Sequence, residues 1–475
     1  MESRRYVISK PGPISKIPPE IITEVFKLVV LSSEEARSHG AKTLCRVCKH
    51  WNEIANITPD LWTKVTFDYP LHADQLSAAR KWLRTSRQKA VDIEIDLCFP
   101  AWDELGDDPR HPPVDSAQLQ EMVAVLRGSE HRWRSISVTS CPLGPIFNFL
   151  HRLPRIPSLP LLESISFEAD NTGSRNRGID VFDPPTLFGG YGTSMPKIQQ
   201  VTLSGVFVHW LTAVTSLRNL RKLEIKHQDI GVCPAFKEFA ALLAASPGLE
   251  TLDITACSGP FDPPRGAVTP LVHLPALKHL VFGWMSNDFA RNFLNMLQIP
   301  ETLETLSLID MGSAGMGAPS HFYGDPTEIF KFLADRGPED PKDKDPSKPW
   351  IFVLGLKSLS ISWVASDDSA IIGFLKKAPV IEEICLTDVS LGVLGGVTTF
   401  AETRGSLQRV DIRRIWHGVL QLPQALVATV LTRYVPQVFF EKFGEQVPVT
   451  SEAVLNVHRE GRNSIVSDFL RRFGM

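Results

Sequence analysis

The sequence has no run of 18 consecutive apolar residues, so no segment of its 475 residues reads as a membrane-spanning helix. Residues 1–16 carry charges and prolines where a signal peptide needs an apolar stretch, which predicts an intracellular protein, cytoplasmic and/or nuclear. Charge of one sign is also missing. Fifty Lys and Arg stand against 53 Asp and Glu, leaving a net charge of -3 and no electrostatic reason to expect a nucleic-acid or membrane partner. The patterns G-x-G-x-x-G, G-x-x-x-x-G-K-[ST], H-E-x-x-H and G-x-S-x-G are all absent. With no metal-spaced histidine pair either, the expectation is a non-enzyme with no catalytic residues, no metal and no cofactor. Seven cysteines, an odd and scattered set, predict reduced thiols rather than a disulfide framework. Cys45-Arg46-Val47-Cys48 is a lone C-x-x-C without a second ligand pair, so packing on an apolar helix face is the better account.

What the chain does have begins at Ile14. Pro18 and Pro19 suit the first turn of a helix, where a missing N–H costs nothing. A short helix should follow, with Ile22, Val25, Phe26, Val29 and Val30 on one face. A polar stretch from Ser32 to Gly40 should interrupt it. A second helix then places Leu44, Val47, Cys48, Trp51, Ile54 and Ala55 at helical spacing, and Pro59-Asp60-Leu61-Trp62 closes the pattern. So many large apolar side chains exceed what a unit of ~50 residues buries alone. The surplus must meet the rest of the chain or a partner.

This order of residues resembles the F-box motif, through Pro-x-Glu-Ile, Val-Cys-x-x-Trp and Pro-x-Leu-Trp in sequence. Ile17 stands where the family most often has Leu, and the segment between Phe26 and Leu44 is longer than usual. The resemblance implies a substrate receptor of an SCF-type cullin–RING ubiquitin ligase, docked on the Skp-type adaptor. Ile17, Pro18, Glu20, Ile21, Leu44, Val47, Cys48 and Trp51 match the positions that hold the motif together or meet that adaptor. The motif is expected to share few contacts with the residues that follow.

The second feature is an internal repeat in which an apolar residue is followed at +3 and +5 by two more. Ten copies start at Trp133, Leu162, Ile198, Leu220, Leu249, Leu277, Leu303, Leu356, Ile381 and Leu407, and a weaker one at Ala90. Most lie 22 to 36 residues apart, in or near the period of leucine-rich repeats, with one gap of 53. The +3 and +5 side chains of a strand point inward, and +2, +4 and +6 outward. Apolar helical spacing recurs between strands, as in Phe236, Phe239, Ala240, Leu242 and Leu243. A strand plus a helix cannot bury its apolar face alone, so such repeats stack. The pattern resembles the irregular leucine-rich repeats that often follow an F-box.

The fold expected is therefore α/β: an N-terminal helical F-box followed by a curved leucine-rich-repeat solenoid of parallel strands and helices. Its parts are a tail over 1–13, the F-box over 14–63, a linker or first capping helix over 64–87, the solenoid over 88–435 and a C-terminal cap over 436–475. The charged, proline-rich stretch at about 335–349 reads as an insertion, and 100–116 as a loop. The outward +4 row holds no Lys or Arg, which speaks against a phosphate-tracking groove. Trp284, Trp363, Arg409, Arg413 and Arg414 are the candidate anchors for a protein target, since Trp and Arg dominate interface energetics. Each Trp could instead fold back to seal the core. The alternative to a ligase subunit is a leucine-rich-repeat interaction scaffold whose F-box-like segment engages no ligase.

Overall fold

The computed structural model describes residues 17–98, 116–141, 143–169, 184–189, 192–228, 233–257, 271–311, 325–334, 351–364, 366–404, 406–415, 431–442 and 445–448. They fall into two compact units, Met1–Ile198 and Gln199–Met475. The expected insertion, the acidic stretch to residue 115, Trp416 and the basic helix expected near the C-terminus lie outside the described residues.

The first unit opens with three helices, α1 (Pro19–Val30), α2 (Glu34–Val47) and α3 (Lys49–Ile57), and a 3-10 turn over Pro59–Trp62. Strand β1 (Lys64–Asp68) and helix α4 (Ala73–Thr85) follow. Then come β2 (Val91–Leu97), α5 (Ser116–Leu126), β3 (Trp133–Ser140), α6 (Gly144–Arg152) and β4 (Ser164–Ala169). The four strands pair in parallel in chain order.

Five expectations change here. The stretch Ser32–Gly40 is mostly helix, because the Ser33 side chain accepts the Ala36 N–H at 3.1 Å and so starts α2 at once. Gly40 lets α2 approach α1: a Cβ there would sit 3.0 Å from Val30 Cγ2. The second helix is two helices. Cys48 is extended (φ -159°, ψ 169°), and its sulfur accepts the Trp51 N–H at 3.5 Å, capping α3. An exposed capping thiol replaces the core-packed cysteine expected there. On α1 only Ile22, Phe26 and Val30, spaced by four, are buried; Val25 and Val29 are exposed. Finally, residues 64–68, read as linker, are a strand, and Trp62, Val65 and Phe67 repeat the 0, +3, +5 spacing with all three buried.

Nor is the helical segment loosely attached. Trp62 donates its indole N–H to the Ala55 carbonyl at 2.8 Å and packs 6.2 Å from Trp82 of α4. Lys42 of α2 lies 4.4 Å over the Trp82 ring. Arg37 of α2 donates to Asp92 of β2 at 2.7 Å. Asp92 also accepts from Arg134 Nε at 2.9 Å and Ser135 Oγ at 2.8 Å, both on β3. The surplus apolar surface of the N-terminal helices is thus divided between the neighbouring sheet and solvent.

The second unit repeats one strand–helix step. Its parallel strands are β5 (Gln200–Ser204), β6 (Lys222–Gln228), β7 (Thr251–Cys257), β8 (His279–Met285), β9 (Thr305–Met311), β10 (Ser358–Ser362), β11 (Glu383–Val389), β12 (Arg409–Ile415) and β13 (Gln437–Lys442). The antiparallel β14 (Glu445–Pro448) pairs with β13, so strands begin the segment read as a C-terminal cap. Neighbouring registers align every +3 residue with the next: Val201, Leu223, Leu252, Leu280, Leu306, Leu359, Ile384, Val410. All eight are buried, as are the +5 residues from Leu203 to Ile412. Several of its helices start at a side-chain cap: Ser286 accepts the Phe289 N–H at 3.2 Å and Asp367 the Ala370 N–H at 3.2 Å.

Candidate interaction site

In the first unit, burial of the Ile22, Phe26 and Val30 row turns the rest of α1 outward. Ile17, Ile21, Val25, Leu28 and Val29 are exposed, Ile21 to 55% and Leu28 to 73%. Val47, at the end of α2, is 56% exposed, and Cys48 beside it is exposed. Single exposed apolar residues are ordinary, but this many on one short helical segment is the kind of patch that marks an interface. Pro18 and Glu20 are exposed too. Leu44 is buried, and Trp51 is half-buried, edge-on to Phe26 with centroids 4.9 Å apart. Of the eight adaptor candidates, these two hold the helices together; the other six lie at the surface.

Residues 14–68 match an F-box-like family model. F-box domains in general bind Skp-type adaptors. No curated protein matches the chain. The F-box-like segment is where the exposed apolar residues of α1 lie.

The F-box-like segment also borders a cleft of about 890 Å³ whose lining includes Arg37, Lys64, Lys89, Asp60, Asp92 and Glu94. Most of its charges are paired: Lys64 with Glu94 at 2.6 Å, Lys89 with Asp60 at 2.8 Å, and Arg37 and Arg134 with Asp92. Burial opposes ionisation of Asp92, but hydrogen bonds from Arg134 and Ser135 and the nearby guanidinium charges hold its carboxyl below the usual range. The cluster is arranged as an ion-pair joint.

In the second unit a row of residues at +7 decides which way the strand ends face. Gly205, His227, Ala256, Trp284, Asp310, Trp363 and Asp388 all have positive φ, between 44° and 62°, on seven successive strands. Strict alternation would send +7 inward after +3 and +5. The left-handed turn takes +7 out of the inward row, with His227 and Trp363 exposed, Trp284, Asp310 and Asp388 half-buried and only the small Gly205 and Ala256 buried, and it brings +8 in, as a bulge does. Val206, Gln228, Met285, Met311, Val364 and Val389 are accordingly buried. The apolar +8 residues were the signal in the sequence that strict alternation hid.

The target candidates are distributed unevenly along that edge. Trp363 is 51% exposed, which is not how a core-sealing side chain sits. Trp284 is half-buried, edge-on to His227 with centroids 5.8 Å apart across the small Ala256. Arg409 is occupied: its guanidinium donates to Asp411 at 3.1 Å and lies 4.7 Å over the Phe439 ring. Arg413 is exposed, at a register shift that pairs Thr387 with Arg414. The Arg414 side chain is outside the described set. The outward rows between carry a second ion-pair group, in which Lys226 joins Asp253 at 2.9 Å and Glu224 at 3.4 Å.

Among the described residues, no helix is long and apolar enough to cross a membrane and no three His, Cys, Asp or Glu residues gather to hold a metal ion.

Proposed function

We propose that this chain is the substrate-recognition subunit of an SCF-type cullin–RING ubiquitin ligase, working in the cytoplasm and/or nucleus. The F-box-like segment takes the Skp-type adaptor, and the strand–helix repeats, a degenerate leucine-rich-repeat solenoid, take a protein target. Catalysis belongs to other subunits. This chain contributes effective concentration, holding target lysines near activated ubiquitin. The observation that carries the reading is the exposed apolar face of α1 within the stretch matched by the F-box-like model.

The test replaces Ile21 and Val47 by Glu together. Both are more than half exposed, so the change should shift stability by no more than about 0.5 kcal/mol per site while placing charge in an apolar interface. Adaptor and cullin should be lost from a pull-down while the thermal transition stays in place. Capture at wild-type yield would leave the interaction-scaffold reading in its stead.

Target capture has a separate test. Trp363→Ala should weaken binding of the target while leaving adaptor binding and melting temperature unchanged, since half of the ring faces solvent. A loss of about 2 kcal/mol or more in target affinity is the scale for a Trp anchor. A fall in stability of about 3 kcal/mol with unchanged capture would make Trp363 a packing residue.

A further inference from the structure

Two thiols in the first unit meet in a way the fold does not require. Cys98 follows the last residue of β2, and Cys141 follows the last residue of β3. Leu97 and Ser140 are register partners, so the two cysteines continue a parallel pair one strand spacing apart, ~4.8 Å. A disulfide spans Cα–Cα separations of roughly 4.4–6.8 Å, and this spacing falls inside that window. The two sulfurs lie 2.8 Å apart, inside the van der Waals contact distance of two sulfur atoms, and neither cysteine is in a disulfide. Both are part-exposed, so a small reagent can reach them.

The other described thiols are engaged elsewhere. Cys45 faces the Asn56 amide at 3.9 Å, Cys48 caps α3, Cys233 is buried against the Gln228 carbonyl at 3.7 Å, and Cys385 sits among Thr387 and Ser360. Among the described thiols the Cys98–Cys141 pair is therefore set apart by its sulfur–sulfur contact.

We propose that Cys98 and Cys141 form a reversible dithiol–disulfide site that exchanges with low-molecular-weight disulfides of the glutathione type. In the reaction a thiolate of the pair attacks the small disulfide, forming a mixed disulfide and expelling one small thiolate. The second protein sulfur then attacks the protein sulfur of that mixed disulfide and expels the remaining small thiol. The pair is oxidised by two electrons, the small disulfide is reduced to two thiols, and the two protein protons pass through solvent to the released thiolates. Burial pushes the Cys98 thiol up, with further contributions from Cys141 and from Asp96. The thiol form therefore persists at neutral pH, and exchange should speed up as the solution becomes alkaline. The bond ties β2 to β3 beside the F-box-like segment, and the proposal stands whether or not the chain serves a ligase.

The experiment uses the full wild-type chain, folded, in buffers of stepped reduced-to-oxidised glutathione ratio. Samples are trapped with an alkylating reagent and mapped by peptide mass. The expected result is a Cys98–Cys141 crosslinked peptide that appears first and dominates, with the remaining cysteines alkylated. Oxidation should raise the melting temperature by roughly 5 °C or more, through closure of the stretch between the two strand ends. Cys141→Ser should abolish that rise and leave Cys98 alkylated or carrying a single glutathione. The proposal is overturned if, while circular dichroism shows a folded chain, the Cys98–Cys141 peptide is no more abundant than other pairings. The wild-type map decides even where the variant fails to fold.

Discussion

Asp92→Asn should lower the unfolding free energy by about 2–3 kcal/mol at neutral pH, because it strips one carboxylate from two guanidinium groups at once. Arg37 would lose its 2.7 Å partner on β2, and Arg134 its carboxylate on the adjacent position. The figure lies below the full penalty for breaking a buried pair, since the Arg134 side chain is 37% exposed and solvent screens it. The pH dependence has a definite sign. Asp92 is held below its ordinary value of 3.8 in the folded chain, so its contribution is complete above that pH and is lost as pH falls through the folded value. Urea titrations of wild type and variant should differ fully at pH 7 and converge below about pH 4. A gap unchanged between these pH values would mean that the carboxylate charge is not what joins α2 to the sheet.

Trp62→Ala should be the most damaging single change in the first unit, costing about 3–5 kcal/mol. It removes the packing against Trp82 and the indole hydrogen bond to Ala55, both fully inside the unit. Trp62→Phe separates the two effects: it keeps most of the ring and leaves the Ala55 carbonyl with the Thr58 N–H at 3.3 Å as its donor, for about 1 kcal/mol. Because Trp62 joins the F-box-like helices to α4, the Ala variant should lose both the helical signal and the adaptor in one cooperative transition. Two separate transitions, with the strands melting after the helices, would show that the helical segment folds on its own after all.

The parts of this fold readable from sequence were those fixed by short-range pattern. Leu223, Leu252, Leu280 and their equivalents announce a strand through spacing alone, and register then follows from one strand to the next. The N-terminal motif was legible because its prolines and tryptophans have narrow structural uses. The joint between the two was not. Arg37 and Asp92 are 55 residues apart, and nothing local to either says that they meet. Cys48 misled because a thiol on an apolar face resembles a packing residue, whereas here it caps a helix. Trp363 could be named as a candidate anchor, yet its direction depended on a backbone turn that no side-chain period records.

That turn also restricts what may be written at the strand ends. For an L-residue the left-handed region costs about 1–2 kcal/mol, least for glycine and for short polar side chains, most for side chains branched at Cβ. The seven positions hold Gly, His, Ala, Trp, Asp, Trp and Asp, with no Val, Ile or Thr among them. Each therefore works as a seat with a reduced alphabet, closed to the residues that strands otherwise favour and open to aromatic, acidic and small ones. The edge can change its chemical message one letter per strand while the buried +3 and +5 rows stay as they are.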